Sequence, residues 1–326
     1  MKRSVSFTLV VLLLAACSNR PQDLAWTRID LPADGAVVLS DVADCDGHWW
    51  AAGGIKAADG STRPAAWSDG AAVTFTPLPS SYYGPRQVIK SVACAGGRVA
   101  MVGATPGGAH GNPRVSTWRF EGGRMAENAA PFETYGGDEA IDVGPIAAGP
   151  AGFAIAGNRT SGAAAWFSPD GKTFTLSESG TAGTVARDVV PLADGRWLVV
   201  GGAATGAAAW IAGPGGWSPD GKVAVDTSDL TELQRAVRDG DDVVAAGLGK
   251  VWRRHNGAWT VTGAFVGGSD VRDLAVADGQ SVVVAERLWI GDERRSTPAE
   301  PVAVAARGTT VLLATDDSLW QTTVHR

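Results

Sequence analysis

Basic residues, thiols, histidines and tyrosines are all in short supply in this chain of 326 residues. It has 28 Lys and Arg against 34 Asp and Glu, and only 3 Cys, 3 Tyr, 3 Met and 4 His. A formal net charge of −6 excludes a general nucleic-acid binder, which needs a basic face. No two of His48, His110, His255 and His325 share metal-ligand spacing. There is no H-E-x-x-H, no G-x-S-x-G and no phosphate loop with its Lys. No metal or cofactor is therefore expected, and no catalytic residue is assigned. What is abundant is glycine, with 43 residues, and a 45% hydrophobic content. The first points to many tight turns, and the second is too high for a disordered chain.

The one long apolar run lies at the start. Lys2 and Arg3 precede an apolar stretch from Phe7 to Ala16, too short to span a bilayer and laid out as a signal peptide. It ends Leu14-Ala15-Ala16-Cys17, which resembles the bacterial lipobox. That resemblance implies diacylglycerol attachment to Cys17 and cleavage before it. Residues 1–16 then form the signal peptide and 17–24 a short tether. The mature chain loses Lys2 and Arg3 and no acid, leaving 26 Lys and Arg against 34 Asp and Glu, a net of −8. No polybasic patch supplements the lipid. The expected location is a bacterial membrane, facing the periplasm or the cell exterior.

Behind the tether the chain repeats. Trp67, Trp118, Trp166, Trp210, Trp252, Trp289 and Trp320 recur in similar settings, such as AAWSDG, AAWFSP and AAWIAG. Before each lies an apolar run that usually closes on Gly, among them WWAAGG (49–54), FAIAG (153–157) and WLVVGG (197–202). Another apolar stretch and a turn precede each run. These short Val- and Ala-rich segments bounded by Gly and Asp read as strands. The only helical candidate, SDLTELQRAV (228–237), is expected to give at most a turn. Three strands and a weaker fourth, seven times over, make an all-β, seven-bladed β-propeller spanning 25–326. Outer strands are read at VTFTPL (73–78), TFTLSE (173–178) and WTVTGAF (259–265). The last repeat lacks one, and AWTRIDLP (25–32) resembles AWTVTGAF. Strand 25–31 should therefore pair with 318–324 and close the ring. The seven Trp read as wedges between blades, because a ligand site has to break a repeat.

SPDGKTF (168–174) resembles the Asp-box turn of sialidase-like propellers, with Ser168 and Asp170 capping a hairpin. Gly53-Gly54 and Gly201-Gly202 resemble the double glycine of kelch repeats. Both likenesses are architectural. Cys45 and Cys94 fall at equivalent first-strand ends of blades 1 and 2, and are expected to form a disulfide in an oxidising compartment.

Two site arrangements follow. Arg187, Arg235 and Arg272 begin the first strands of blades 4, 5 and 6. A central pocket of three arginines would resemble the carboxylate clamp of sialidases, which use a Tyr nucleophile with a Glu, and Glu133 and Tyr135 lie in one loop. The Arg-Asp pair repeats in two blades, however, as interblade scaffold would. The second arrangement breaks the repeat. Tyr82, Tyr83 and Tyr135, the only tyrosines, lie in interblade loops flanking blade 2, with Arg86 and His110 nearby. Loops on a rigid scaffold carry binding residues. The main reading is a lipid-anchored, non-catalytic module that binds a protein or glycan through this upper face. The alternative is a carbohydrate-active enzyme with the central arginine pocket. The closing strand should start on the lower face, directing the tyrosines away from the membrane.

Overall fold

The computed structural model describes residues 23–107, 113–223, 232–266 and 270–325. The signal peptide, Cys17, most of the tether, His110 and residues 228–231 of the helical candidate lie outside the described residues. The rest of that candidate leads into a strand, Arg235–Asp239.

The strands form seven antiparallel blades around a central axis. Blade 3 is representative: Ala140–Gly149, Gly152–Arg159, Gly162–Ser168 and Thr175–Glu178 pair in sequence order. The innermost strands of successive blades touch one another around the axis. The last blade is Pro301–Arg307, Thr310–Thr315 and Leu319–Thr323, and its outer strand is Thr27–Ile29 from the chain start. Thr27, Arg28 and Ile29 pair antiparallel with Gln321, Trp320 and Leu319. The ring is thus closed by its own two ends, and no radial edge is left between first and last blades.

Packing explains the repeat. There are seven buried apolar clusters, each joining two adjacent blades. Every one contains a repeated Trp, and Trp67, Trp118, Trp166 and Trp252 are almost wholly buried. In blades 1, 2 and 3 the indole N–H group also ties the wedge to the connection entering its own blade. Trp67 donates to the Pro32 carbonyl at 2.9 Å, Trp118 to Gln87 Oε1 at 3.0 Å, and Trp166 to the Thr134 carbonyl at 2.6 Å. Blade 7 departs from this rule. Trp320 Nε1 is buried without a partner, and it is Trp26 that donates to Ser296, in the connection entering blade 7.

The glycine that ends many second strands serves close approach rather than turning. Each innermost strand of blades 1 and 4 carries a register shift, between Leu39 and Asp41 and between Ala186 and Asp188. The bulge drives its backbone against the second strand. A Cβ on Gly53 would lie 1.9 Å from the Val38 carbonyl oxygen, and one on Gly201 would lie 1.8 Å from that of Val185. No side chain fits there.

Innermost strands also send side chains across blade boundaries. Asp41 accepts from Val92 N–H at 2.7 Å, Asp188 from Ala236 N–H at 2.9 Å, and Asp273 from Val304 N–H at 2.7 Å. Each carboxylate also accepts from the N–H of the residue that follows it. Ser91 plays the same part toward Ile146 N–H at 3.2 Å. Cys45 and Cys94 form a disulfide between blades 1 and 2, with a Cα separation of 5.4 Å, a bond that suits an extracytoplasmic protein.

One local reading is corrected. Segment 73–78 is not the outer strand of blade 1. That strand is only Ala71–Ala72, and Thr74–Thr76 crosses to pair in parallel with Arg124–Glu127 of blade 2. Phe75 draws it over, packing edge-on against Trp118 at 5.2 Å. The start of the closing strand is tied to the connection between blades 6 and 7. Asp23 accepts from Ser296 Oγ at 2.9 Å, and Trp26 donates to the Ser296 carbonyl. The chain therefore enters the fold at the blade 6–7 side. The Asp-box turn forms as read: Ser168 Oγ accepts from Gly171 N–H, and Asp170 accepts from Lys172 N–H.

Candidate functional site

The central cavity, of about 690 Å³, is lined by Arg235 and Arg272, by Asp41, Asp188 and Asp273, and by Lys90 and Arg238. Arg187 is not part of it and pairs with Glu232 at 3.1 Å. Arg235 spends its donors on the carbonyls of Arg272 and Gln234, both at 2.7 Å. Arg272 donates to the Pro301 carbonyl at 3.0 Å and pairs with Glu300. The three arginines are thus staples between blades 4, 5, 6 and 7, and they do not converge as a clamp. The reason is register: each guanidinium runs along the ring to the next blade. Glu133 and Tyr135 belong to the rim between blades 2 and 3, away from this cavity. The sialidase constellation is not assembled.

Burial makes this centre sensitive to pH. It pushes Asp188 up to about 6, against the opposing pull of the Arg235 charge and two N–H donors. Burial likewise raises Asp41 and, helped by the charge of Asp41, Asp273. All three favour the neutral form in the folded state relative to an ordinary carboxylate near 3.8. The native state then binds protons that the unfolded chain releases, so stability falls as pH rises from about 4 to 8. Asp69, Asp170 and Asp242 have the opposite sign. Hydrogen bonds hold their pKa values low, and their contribution is lost below about pH 4. Thermal melts should therefore rise from pH 8 to pH 5 and fall again at lower pH. Asp188→Asn should flatten the upper limb. A melting temperature that climbs steadily from pH 5 to 8 would refute this account.

The symmetry-breaking residues gather on the rim between blades 2 and 3. Three segments meet there: the connection carrying Tyr82 and Tyr83, the start of the third strand of blade 2 at Arg114, and a short helix, Phe132–Tyr135. They enclose a cavity of about 340 Å³. Glu127 braces it from within. One of its oxygens accepts from Ser81 Oγ at 2.8 Å and Ser116 Oγ at 2.7 Å, and the other from Leu78 N–H at 2.9 Å. Ser81 Oγ in turn accepts from Gly84 N–H at 3.0 Å. Gln87, which holds Trp118, also donates to the Arg114 carbonyl. The loop is thereby pinned to the repeated core.

Exposure divides the four described rim residues read from sequence, Tyr82, Tyr83, Arg86 and Tyr135. Tyr82 is 67% exposed and stands edge-on to Tyr83 at 4.9 Å. Arg86 lies over the Tyr82 ring at 4.2 Å and donates to the Tyr82 carbonyl. Tyr135 is a correction. Only 6% exposed, it wedges between blades 2 and 3 beside Trp166, with its hydroxyl 3.3 Å from Thr117 Oγ1. It is therefore not an open ring on the rim, and burial drives its phenol pKa upward. Reading the sequence missed Phe132, which is 54% exposed, and Arg114, whose guanidinium lies 4.4 Å from the Phe132 ring. An apolar ring in a connection was the available signal for Phe132.

No protein-family profile matches the chain, and no curated protein matches it. Solved structures do. Virginiamycin B lyase from Staphylococcus aureus aligns at 14% identity and a TM-score of 0.60, over 93% of this chain and 100% of that one. The extracellular domain of the putative one-component system BT4673 from B. thetaiotaomicron aligns at 14% identity and 0.59 over 92% of this chain. This chain spans only 40% of that structure's length. YCF48 bound to D1 peptide aligns at 15% identity and 0.57, over 92% of this chain and 96% of that one. At such identities the likeness is one of fold: this chain is a seven-bladed β-propeller similar to both enzymatic and peptide-bound propellers.

Proposed function

We propose that the protein is a lipid-anchored, extracytoplasmic propeller that captures a protein partner, without chemistry, through the cleft of Tyr82, Tyr83, Arg86, Arg114 and Phe132. The observation that carries this reading is the meeting of the exposed Tyr82 and Phe132 rings with Arg114 on one cavity, with Arg86 over the Tyr82 ring beside it, in a sector where the repeat is broken. Tyr and Arg are the residue types that anchor interfaces. A propeller of this fold has been captured with a peptide in YCF48. Lipidation at Cys17 after removal of residues 1–16 would hold the ring to the membrane through residues 17–24. Asp23 and Trp26 bond to Ser296 in the connection entering blade 7, which supports a tether remote from the blade 2–3 rim.

Tyr82→Ala with Phe132→Ala tests the cleft without opening the core. Tyr135 is left intact because its removal would unpack blades 2 and 3. The double variant should melt within a few degrees of the parent and recover at least tenfold less of the specific membrane partner. Equal recovery of the same partner would refute the assignment. Replacing Cys17 with Ser tests the anchor: processing should stop, and the product should leave the membrane fraction unless its uncleaved signal retains it. Cleaved, membrane-bound Cys17→Ser protein would contradict lipidation.

A further inference from the structure

The blade 2–3 cleft holds a cation without an anion. The Arg114 guanidinium lies 4.4 Å from the Phe132 ring centroid and 5.6 Å from that of Tyr83. Both rings are within cation–π reach, and the guanidinium presents its hydrogen-bond donors in its own plane. Its Nε is buried without a hydrogen-bond partner. Arg159 and Arg295 also bury an Nε that makes no hydrogen bond. Each of those, however, lies beside carboxylates: Glu139 and Glu178 for Arg159, and Glu293 for Arg295. Among the described residues no carboxylate comes within ion-pair distance of Arg114. Glu127 lines the same cavity, but its oxygens already accept three hydrogen bonds.

The site is therefore preformed for one kind of group. A guanidinium edge matches a planar pair of oxygens, and a carboxylate supplies it. Resting on the reading of this cleft as the binding site, we infer that Arg114 receives the carboxylate of a peptide, with the neighbouring apolar side chain against Tyr82 and Phe132. A peptide fits better than an acidic sugar. Ser81 and Ser116, the serine hydroxyls bonded within the cleft, are both turned to Glu127, so they are not offered to a ring of sugar hydroxyls. The remaining walls include Pro113, Pro131, Phe132 and Tyr82.

The test uses the full chain, immobilised, and three random hexapeptide pools. The first lacks Asp and Glu and has free C-termini; the second is the same but amidated; the third is amidated and contains Asp and Glu. Retained peptides are counted by mass spectrometry. The first or third pool should be retained at least tenfold over the second, and which of them wins identifies a C-terminal or a side-chain carboxylate. Arg114→Gln should abolish the preference. Arg114→Lys, which keeps the charge but not the planar edge, should reduce it, with melting temperature confirming that both variants fold. Equal retention of the three pools, no retention of any, or a preference untouched in Arg114→Gln would overturn the inference. So would retention of glucuronate- or sialate-bearing glycans in place of peptides. If Tyr82→Ala with Phe132→Ala still loses the partner while acid and amide pools bind alike, the cleft stands as a binding site and only the carboxylate inference falls.

Discussion

Deleting residues 24–32 should lower the melting temperature by on the order of 10 °C or leave the protein unable to fold. The segment contributes through several independent links. Thr27–Ile29 is the outer strand of blade 7. Leu24 and Trp26 pack on the blade 6–7 cluster, and Ile29 and Leu31 on the blade 7–1 cluster. The Trp67 indole loses its acceptor at Pro32, and Thr322 Oγ1 loses the Ala25 carbonyl. Full burial of one large apolar side chain stabilises by about 1.5–3 kcal/mol. These four are half-buried and contribute less each, but lost together with the strand pairing and two hydrogen bonds they remove a large fraction of a domain's stability. The deletion also bares the Leu319–Thr323 edge to pairing with other chains, so aggregation should accompany the loss. Unchanged melting would mean that the ring closes elsewhere.

Breaking the Cys45–Cys94 bond should cost about 4 kcal/mol, the chain-entropy expectation for a loop of this length. The two residues are 49 apart in sequence. The bond fastens blade 1 to blade 2, where Asp41 already bridges to Val92 and Asp46 accepts from Gly97 N–H. Cys45→Ser with Cys94→Ser should therefore still fold, melting roughly 10 °C lower. Mass spectrometry of unreduced peptides from exported protein should recover the linked pair. Free thiols at both positions would contradict the bond.

The fold was legible because its signal repeats. Seven Trp in one local setting announce seven interfaces, and the missing last outer strand is supplied by a look-alike at the start. The errors came where a residue obeys a neighbouring blade instead of its own. Phe75 leaves blade 1 because Trp118 of blade 2 offers a ring to pack on. Spacing alone cannot foresee that competition. Arg187, Arg235 and Arg272 share a position, but their direction is set by acceptors on the next blade. Tyr135 looked like its neighbours Tyr82 and Tyr83, yet a helical turn rotates it into the core. The site's decisive feature, Arg114 held against two rings with no acid beside it, depends on three segments meeting. None of them predicts it separately.

The central claim is that partners dock on the blade 2–3 rim. A photo-crosslinking residue placed at Tyr82 in the full chain tests this, with the same residue at Asp194, an exposed turn of blade 4, as the comparison. Position 82 should give one dominant adduct with a protein of the host membrane or envelope, absent when Phe132→Ala is added, and position 194 should give none. The same adduct at both positions, or at 194 alone, would contradict the account.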